Sequence, residues 1–205
     1  MFLSAIVMAC GKGERFGSNK LMAKLKGKEL IRYTLDALPA ELFSEILVVT
    51  KYKEIMDLVA EYPAPFFGIY TDDPEGGQDA TIRCGVRNLS SDSDGCMFVA
   101  ADQPLKQKSS LQKQIALYQQ YLRKGEERFV ALSFQGKKGN PVIFPKSSYK
   151  ELLKITDGQT GSTVLRAHPD TLVLSEACCA AEMMDIDSLE DLREVERILL
   201  QKDSF

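Results

Sequence analysis

The chain has 205 residues, of which 44% are hydrophobic and 27% charged, and its formal net charge is −3. That is the balance of an ordinary folded domain, and it excludes a disordered or fibrous chain. A protein that lives on the phosphates of long nucleic acid is normally basic, so nucleic acid is not expected as a partner.

The five cysteines (Cys10, Cys84, Cys96, Cys178 and Cys179) are odd in number and include no C-x-x-C spacing. They predict reduced, mostly packed thiols and a cytoplasmic protein rather than a disulfide framework or a zinc site. The apolar start Met1 to Ala9 is too short to span a bilayer and lacks the basic opening of a signal peptide, so no membrane association is expected.

Phe2 to Ala9 reads as a buried strand that runs into a glycine-rich loop. Leu30 to Leu38 and Lys53 to Glu61 have apolar residues at helical spacing, and between them Glu45 to Thr50 is a second buried strand. Phe66 to Tyr70 reads as a strand, Ala80 to Leu89 as a helix and Gly95 to Ala101 as a fourth strand. Ser109 to Leu122 reads as a helix capped by its serine. This alternation predicts an α/β protein in three layers, a mostly parallel sheet with helices on both faces. Strands at Phe129 to Phe134 and Asn140 to Phe144 follow, joined by a turn at Gly136 to Gly139. Helices are expected at Ser147 to Ile155 and Gly161 to Ala167, and short strands at Thr171 to Leu174 and Glu182 to Asp185. A final helix runs from Ser188 to Leu200, with Ser188 and Asp191 as a capping box. Phe43, Phe66, Phe67, Phe98, Phe129 and Phe144 are assigned to the core. Residues 1–205 read as one domain.

In open α/β sheets, ligands bind beyond the carboxyl ends of the strands. There the chain carries Cys10-Gly11-Lys12-Gly13-Glu14-Arg15-Phe16-Gly17-Ser18-Asn19-Lys20. Residues 1–32 hold seven Lys and Arg against two Glu, a net of +5 within a chain of −3. Glycines that free backbone N–H groups, together with Arg15 and Lys20, suit a phosphate. A solvated basic turn is the plainer alternative. The third glycine sits one place late for the dinucleotide fingerprint, which marks down a dehydrogenase, and the spacing also fails the Walker loop.

Asp102 lies at the carboxyl end of the fourth strand, on the edge that carries the glycine-rich loop. A carboxylate facing a phosphate is repulsive unless a cation such as Mg²⁺ bridges them. Read alone, Asp102 is equally a turn residue. The pair Asp185 and Asp187, at i and i+2, would share one strand face.

Five blocks taken in order resemble the nucleotidyltransferases that attach a nucleotide to molybdopterin, within the GT-A-like nucleotidyltransferases. They are Met8-Ala9-Cys10-Gly11 through Lys20-Leu21, Gly77-Gln78-Asp79-Ala80-Thr81-Ile82-Arg83, Val99-Ala100-Ala101-Asp102-Gln103-Pro104-Leu105, Gly139-Asn140-Pro141-Val142-Ile143-Phe144-Pro145 and Asp185-Ile186-Asp187-Ser188. The cytidylyltransferase (MocA-type) group is the nearest. The resemblance implies that a terminal phosphate of molybdopterin attacks the α-phosphate of a nucleoside triphosphate and that pyrophosphate leaves. It implies a nucleotide-binding half at 1–105 and an acceptor-binding half at 106–205, with catalytic roles for Arg15, Lys20 and Asp102. It implies nucleotide or substrate binding by Ala9, Cys10, Gly11, Gly13, Gly17, Gln78 and Arg83, and Mg²⁺ held by Asp102 and Asp187.

The guanylyl group tends to have glycine where this chain has Cys10, which favours CTP over GTP. A catalytic thiol is the sharper reading of Cys10. Asp79 stands where the family usually has serine, and a free acid there would disfavour an anionic ligand. Other readings are a sugar- or alcohol-phosphate acceptor and a non-enzymatic carrier that hands the cofactor to a target molybdoenzyme. His168 reads as a surface helix cap, and Cys178 and Cys179 as buried packing.

Overall fold

The computed structural model describes residues 1–11, 13, 16 and 19–202. The first strand, β1 (Leu3–Ala9), lies inside a seven-stranded sheet, and its alternation serves two cores. Leu3, Ala5, Val7 and Ala9 face one side, whereas Ile6, Met8 and Cys10 face the other. This period of two follows from the pleat and lets a wholly apolar strand be buried on both faces.

A small hairpin, β2 (Lys24–Leu25) and β3 (Lys28–Glu29), leads into helix α1 (Leu30–Ala37). Strand β4 (Glu45–Thr50), helix α2 (Lys53–Val59) and edge strand β5 (Phe66–Tyr70) come next. They are followed by α3 (Gln78–Arg87), β6 (Gly95–Ala100) and α4 (Lys108–Arg123). Then come β7 (Phe129–Phe134), β8 (Lys137–Pro145), α5 (Tyr149–Leu152), α6 (Gly161–Ala167), β9 (Leu172–Glu176) and α7 (Leu189–Lys202).

The strand order is β5-β4-β1-β6-β8-β7-β9. The first four strands are parallel, β8 runs antiparallel to both β6 and β7, and β9 is parallel to β7. Buried residues of α1, α2, α4 and α7 share the first core, and those of α3, α5 and α6 the second. The sequence expectation of a three-layer α/β fold with a mostly parallel sheet therefore holds. The parallel run of β1, β4 and β6 places their carboxyl ends on one edge, and the ligand-facing loops gather there.

Four local expectations give way. Glu182 to Asp185 is not a strand, because Ala180–Met183 is a single 3₁₀ turn. The hairpin turn is at Gln135-Gly136, both with positive φ (51° and 76°), and Lys137 to Gly139 already belong to β8. Such a two-residue turn matches the right-handed strand twist, which moves it one step ahead of the glycine-to-glycine reading. Ser109 does not cap α4, which starts at Lys108 with Gln107 in the cap position and no side-chain cap bond. Phe67, on the edge strand β5, is 48% exposed and packs into neither core, whereas Phe66 and Ile69 of the same strand do.

Two local expectations, the capping box and the His168 cap, hold. The Ser188–Asp191 capping box forms, with Ser188 N–H donating to Asp191 Oδ2 at 2.7 Å and Asp191 N–H to Ser188 Oγ at 3.2 Å. His168 caps the C-terminus of α6, bonds Glu151 through Nε2 and stacks on Phe129 at 5.5 Å. No helix among the described residues is long and apolar enough to cross a membrane.

Candidate active site

At the end of β1 the backbone turns through Gly11 and Gly13. Gly13 has φ +57°, a left-handed conformation that glycine adopts without strain. A Cβ placed on Gly11 would meet nothing within 4 Å, so this backbone borders open space. Asn19 caps a short 3₁₀ turn, Lys20–Met22, by accepting from Leu21 N–H at 3.2 Å. That turn aims the Lys20 side chain across the strand ends. Arg15 and Gly17 lie outside the described residues.

The Lys20 ammonium donates to three oxygens, each at 2.8 Å: Asp102 Oδ2, Asp187 Oδ1 and the Ile186 carbonyl. Ile186 N–H donates in turn to the Asp102 carbonyl at 3.0 Å. Lys20 is only 7% exposed. Burial works to lower its pKa, but its hydrogen bonds to Asp102 and Asp187 outweigh burial and hold it above the ordinary lysine value. Residues 82 and 167 positions apart thus converge on a single cation.

Beside this cluster lies a cleft of about 310 Å³, lined by Met8, Cys10, Gly11, Gly76, Gly77, Gln78, Thr81, Ala100 and Asp102. The volume falls at the lower end of the range for small-molecule sites. A second cleft, of about 90 Å³, shares Met8 and Gln78 with the first and is walled by Ile82, Phe98, Val142 and Phe144, with Asn140, Thr160 and Ser162 as its polar groups.

The sequence-based candidates divide accordingly. Cys10, Gly11, Gln78 and Asp102 line the larger cleft, and Lys20 and Asp187 stand at its acidic end. Ala9 belongs to the opposite core, as strand alternation requires once Met8 and Cys10 face the cleft. Arg83 lines neither cleft. Its Nη1 is held by Asp79 Oδ2 and the Ile155 carbonyl, each at 2.6 Å. That pairing also removes the objection raised by Asp79, which is 2% exposed and neutralised by Arg83 rather than free to repel an anion. Burial raises the Cys10 thiol pKa, the opposite of what a reactive thiolate needs.

Met8, Thr81, Ala100 and Asn140 lie within the quoted blocks but carry no assigned role there, and Gly76 lies outside them; the parity of β1 would have supplied Met8. Lys106 escaped the residue reading. Its amine is buried and donates to the carbonyls of Asn140 and Glu182, and burial pushes its pKa down to about 8. A lysine four places after Asp102, directly following Pro104-Leu105, was the available signal.

Among the described residues no group of three or more His, Cys, Asp or Glu could hold a metal ion alone. Two carboxylates that already converge on one ammonium do suit a hard divalent cation, since Mg²⁺ takes one or two carboxylates and completes its shell with water and phosphate oxygens.

The sequence matches the MobA-like NTP transferase domain over residues 5–172. The chain belongs to that family. This MobA-like chain is 27% identical over 207 residues to the purine catabolism protein PucB of Bacillus subtilis, covering 97% of this chain and 98% of PucB. It is 27% identical over 154 residues to a probable molybdenum cofactor guanylyltransferase of Peptoclostridium acidaminophilum, covering 74% and 66% of the two chains. A nucleotidyl transferase from Methanothermobacter thermautotroptrophicus has the same fold, with a TM-score of 0.80 at 20% identity over 98% of this chain and 99% of its own. As a MobA-like protein, the chain is a nucleotidyltransferase. Asp187 lies beyond the matched domain, within the span shared with PucB.

Proposed function

We propose that the protein transfers CMP from CTP to the terminal phosphate of a molybdopterin-type acceptor, releasing pyrophosphate. The observation that carries this reading is the convergence of Lys20, Asp102 and Asp187 at the acidic end of a glycine-walled cleft. In such a transfer the acceptor phosphate oxygen forms a bond to the α-phosphorus while the α–β bridging bond breaks. The acceptor brings the nucleophile, so the protein need only position the reactants and neutralise charge.

Gly11, Gly13, Gly77 and Gln78 would seat the nucleotide. Lys20, with Arg15, would neutralise the triphosphate, and Asp102 and Asp187 would hold Mg²⁺, whose charge offsets that of the departing pyrophosphate. Cys10 supports CTP, because its side chain fills cleft wall that glycine would leave open for a larger base. The second cleft, apolar with polar groups at Asn140 and Thr160, suits the flat pterin of the acceptor.

A guanylyl donor is the second reading, favoured by the two relatives named as probable molybdenum cofactor guanylyltransferases. Pyrophosphate release measured with molybdopterin, Mg²⁺ and each of CTP, GTP, ATP and UTP tests both. Turnover fastest with CTP is the expected result. Turnover fastest with GTP would move the assignment to the guanylyl form, and no release with any nucleotide would remove the reading.

A further inference from the structure

Lys51 and Tyr52, which follow strand β4, belong to no motif and do not themselves line the larger cleft. Strand β4 lies between β1 and β5, so the residues that leave its carboxyl end sit between the chain that follows β1 and the chain that follows β5. On one side the Tyr52 hydroxyl donates to the Gly11 carbonyl at 2.9 Å. On the other side Lys51 Nζ donates to the Pro74 carbonyl at 3.0 Å, two residues before Gly76. The Lys51 ammonium lies 5.6 Å from the centre of the Tyr52 ring, so the two ties are coupled to each other.

Both ties start from a fixed base. Thr50 Oγ1 donates to the Ala9 carbonyl at 3.1 Å and accepts from Tyr52 N–H at 3.1 Å. The Thr50 carbonyl accepts from Thr71 N–H at 2.9 Å. The Tyr52 ring packs against the first core, which leaves the phenol few positions to adopt.

The two walls need this tie to different degrees. The Gly76 wall is already close-packed, since a Cβ on Gly76 would fall 2.7 Å from Asp73 Cγ, and Gly76 N–H bonds Asp73 Oδ1 at 2.9 Å. Among the described residues nothing lies within 4 Å of a Cβ placed on Gly11. With Gly76 already held by Asp73, the bond from the Tyr52 hydroxyl to Gly11 is the more consequential of the two ties. Burial raises the Tyr52 pKa, so the phenol remains a donor at any pH at which the protein works.

From this geometry we infer that Lys51 and Tyr52 are positioning residues that set the separation of the cleft walls and through it the choice of base. Tyr52 is the dominant member. The inference rests on the cleft being the nucleotide site, and its test separates the two ideas.

Binding of CTP and GTP in the presence of Mg²⁺ is measured by titration calorimetry for the wild type, Tyr52→Phe and Lys51→Gln, alongside each melting temperature. Tyr52→Phe keeps the ring and deletes only the donor. It should weaken CTP binding by at most about 10-fold, because the whole worth of a bond within the protein bounds the effect, and weaken GTP binding less, so that the CTP:GTP preference falls. Its melting temperature should stay near that of the wild type. Lys51→Gln should shift the same ratio in the same direction by a smaller factor.

Unchanged constants in Tyr52→Phe, with the wild type binding nucleotide, would overturn the inference alone. So would a fall in melting temperature with the CTP:GTP ratio intact, which would make Tyr52 merely structural. Failure of the wild type to bind any nucleotide would overturn the nucleotide reading of the cleft and this inference with it.

Discussion

Replacing Lys20 by methionine keeps the length of the side chain and removes its charge. In the folded protein the Asp102 and Asp187 oxygens each lie 2.8 Å from the Lys20 nitrogen, so they are separated by no more than twice that distance. At an effective dielectric of about 20, two like charges roughly 5 Å apart repel by about 3 kcal/mol. The exposure of the two carboxylate side chains, 24% for Asp102 and 52% for Asp187, screens part of this. The Ile186 carbonyl also loses its partner, which costs about 1 kcal/mol more. The expected loss is about 2–3 kcal/mol, or roughly 4–12 °C in melting temperature for a chain of this size.

Urea unfolding of the wild type, Lys20→Met and Lys20→Met/Asp102→Asn measures it. Removing one carboxylate removes the repulsion, so the double variant should recover about half of the loss. A Lys20→Met variant within about 0.5 kcal/mol of the wild type, or a double variant less stable than the single one, would refute the reasoning. Lys20→Met should also bind Mn²⁺ without nucleotide more tightly than the wild type, because no ammonium then competes for the carboxylates.

Three further outcomes follow from the geometry. The Cys178 thiol is exposed and drawn below the usual range by hydrogen bonds from Ser110 and Ser109, whereas burial holds that of Cys96 well above it. A disulfide reagent should therefore label Cys178 first and reach Cys84 and Cys96 only on unfolding, a result contrary to the buried packing expected of Cys178 from sequence. Lys106 has a folded pKa of about 8, below its unfolded value, so the unfolded chain binds more protons between pH 8 and about 10.5. Stability should accordingly rise through that window, by on the order of 1–3 kcal/mol, and Lys106→Met should lose the rise in pH-dependent melting. A Cβ on Gly95 would fall 2.6 Å from Tyr118 Cζ, and the Tyr118 hydroxyl is needed at the Asp94 carbonyl 2.9 Å away. Gly95→Ala should cost about 2–4 kcal/mol in denaturant unfolding.

Much of the architecture was legible in residue order. Short, largely apolar runs at Phe2 to Ala9, Glu45 to Thr50 and Gly95 to Ala101 read best as strands buried on both faces, and the helices between them favoured parallel neighbours. The same logic located the site edge, because the glycine-rich loop and Asp102 both follow such strands. The single glutamine-glycine hairpin turn and the 3₁₀ turn at Ala180–Met183 were less legible, since short segments carry too few periods to fix their type.

Side-chain partnership was decided only in three dimensions. The i,i+4 spacing of Asp79 and Arg83 on one helix is a local signal that they pair, but nothing local announces that the Ile155 carbonyl also holds Arg83 and that Arg83 is thereby turned away from the clefts. Nothing near Lys20 announces that Asp102 and Asp187, far along the chain, meet on its ammonium. The sequence by itself determined the chemistry available at the strand ends, a basic glycine loop and two acids, because residue type and strand periodicity are local properties. The folded chain alone decided which charges neutralise one another, because a hydrogen bond forms within about 3 Å of space regardless of separation along the chain.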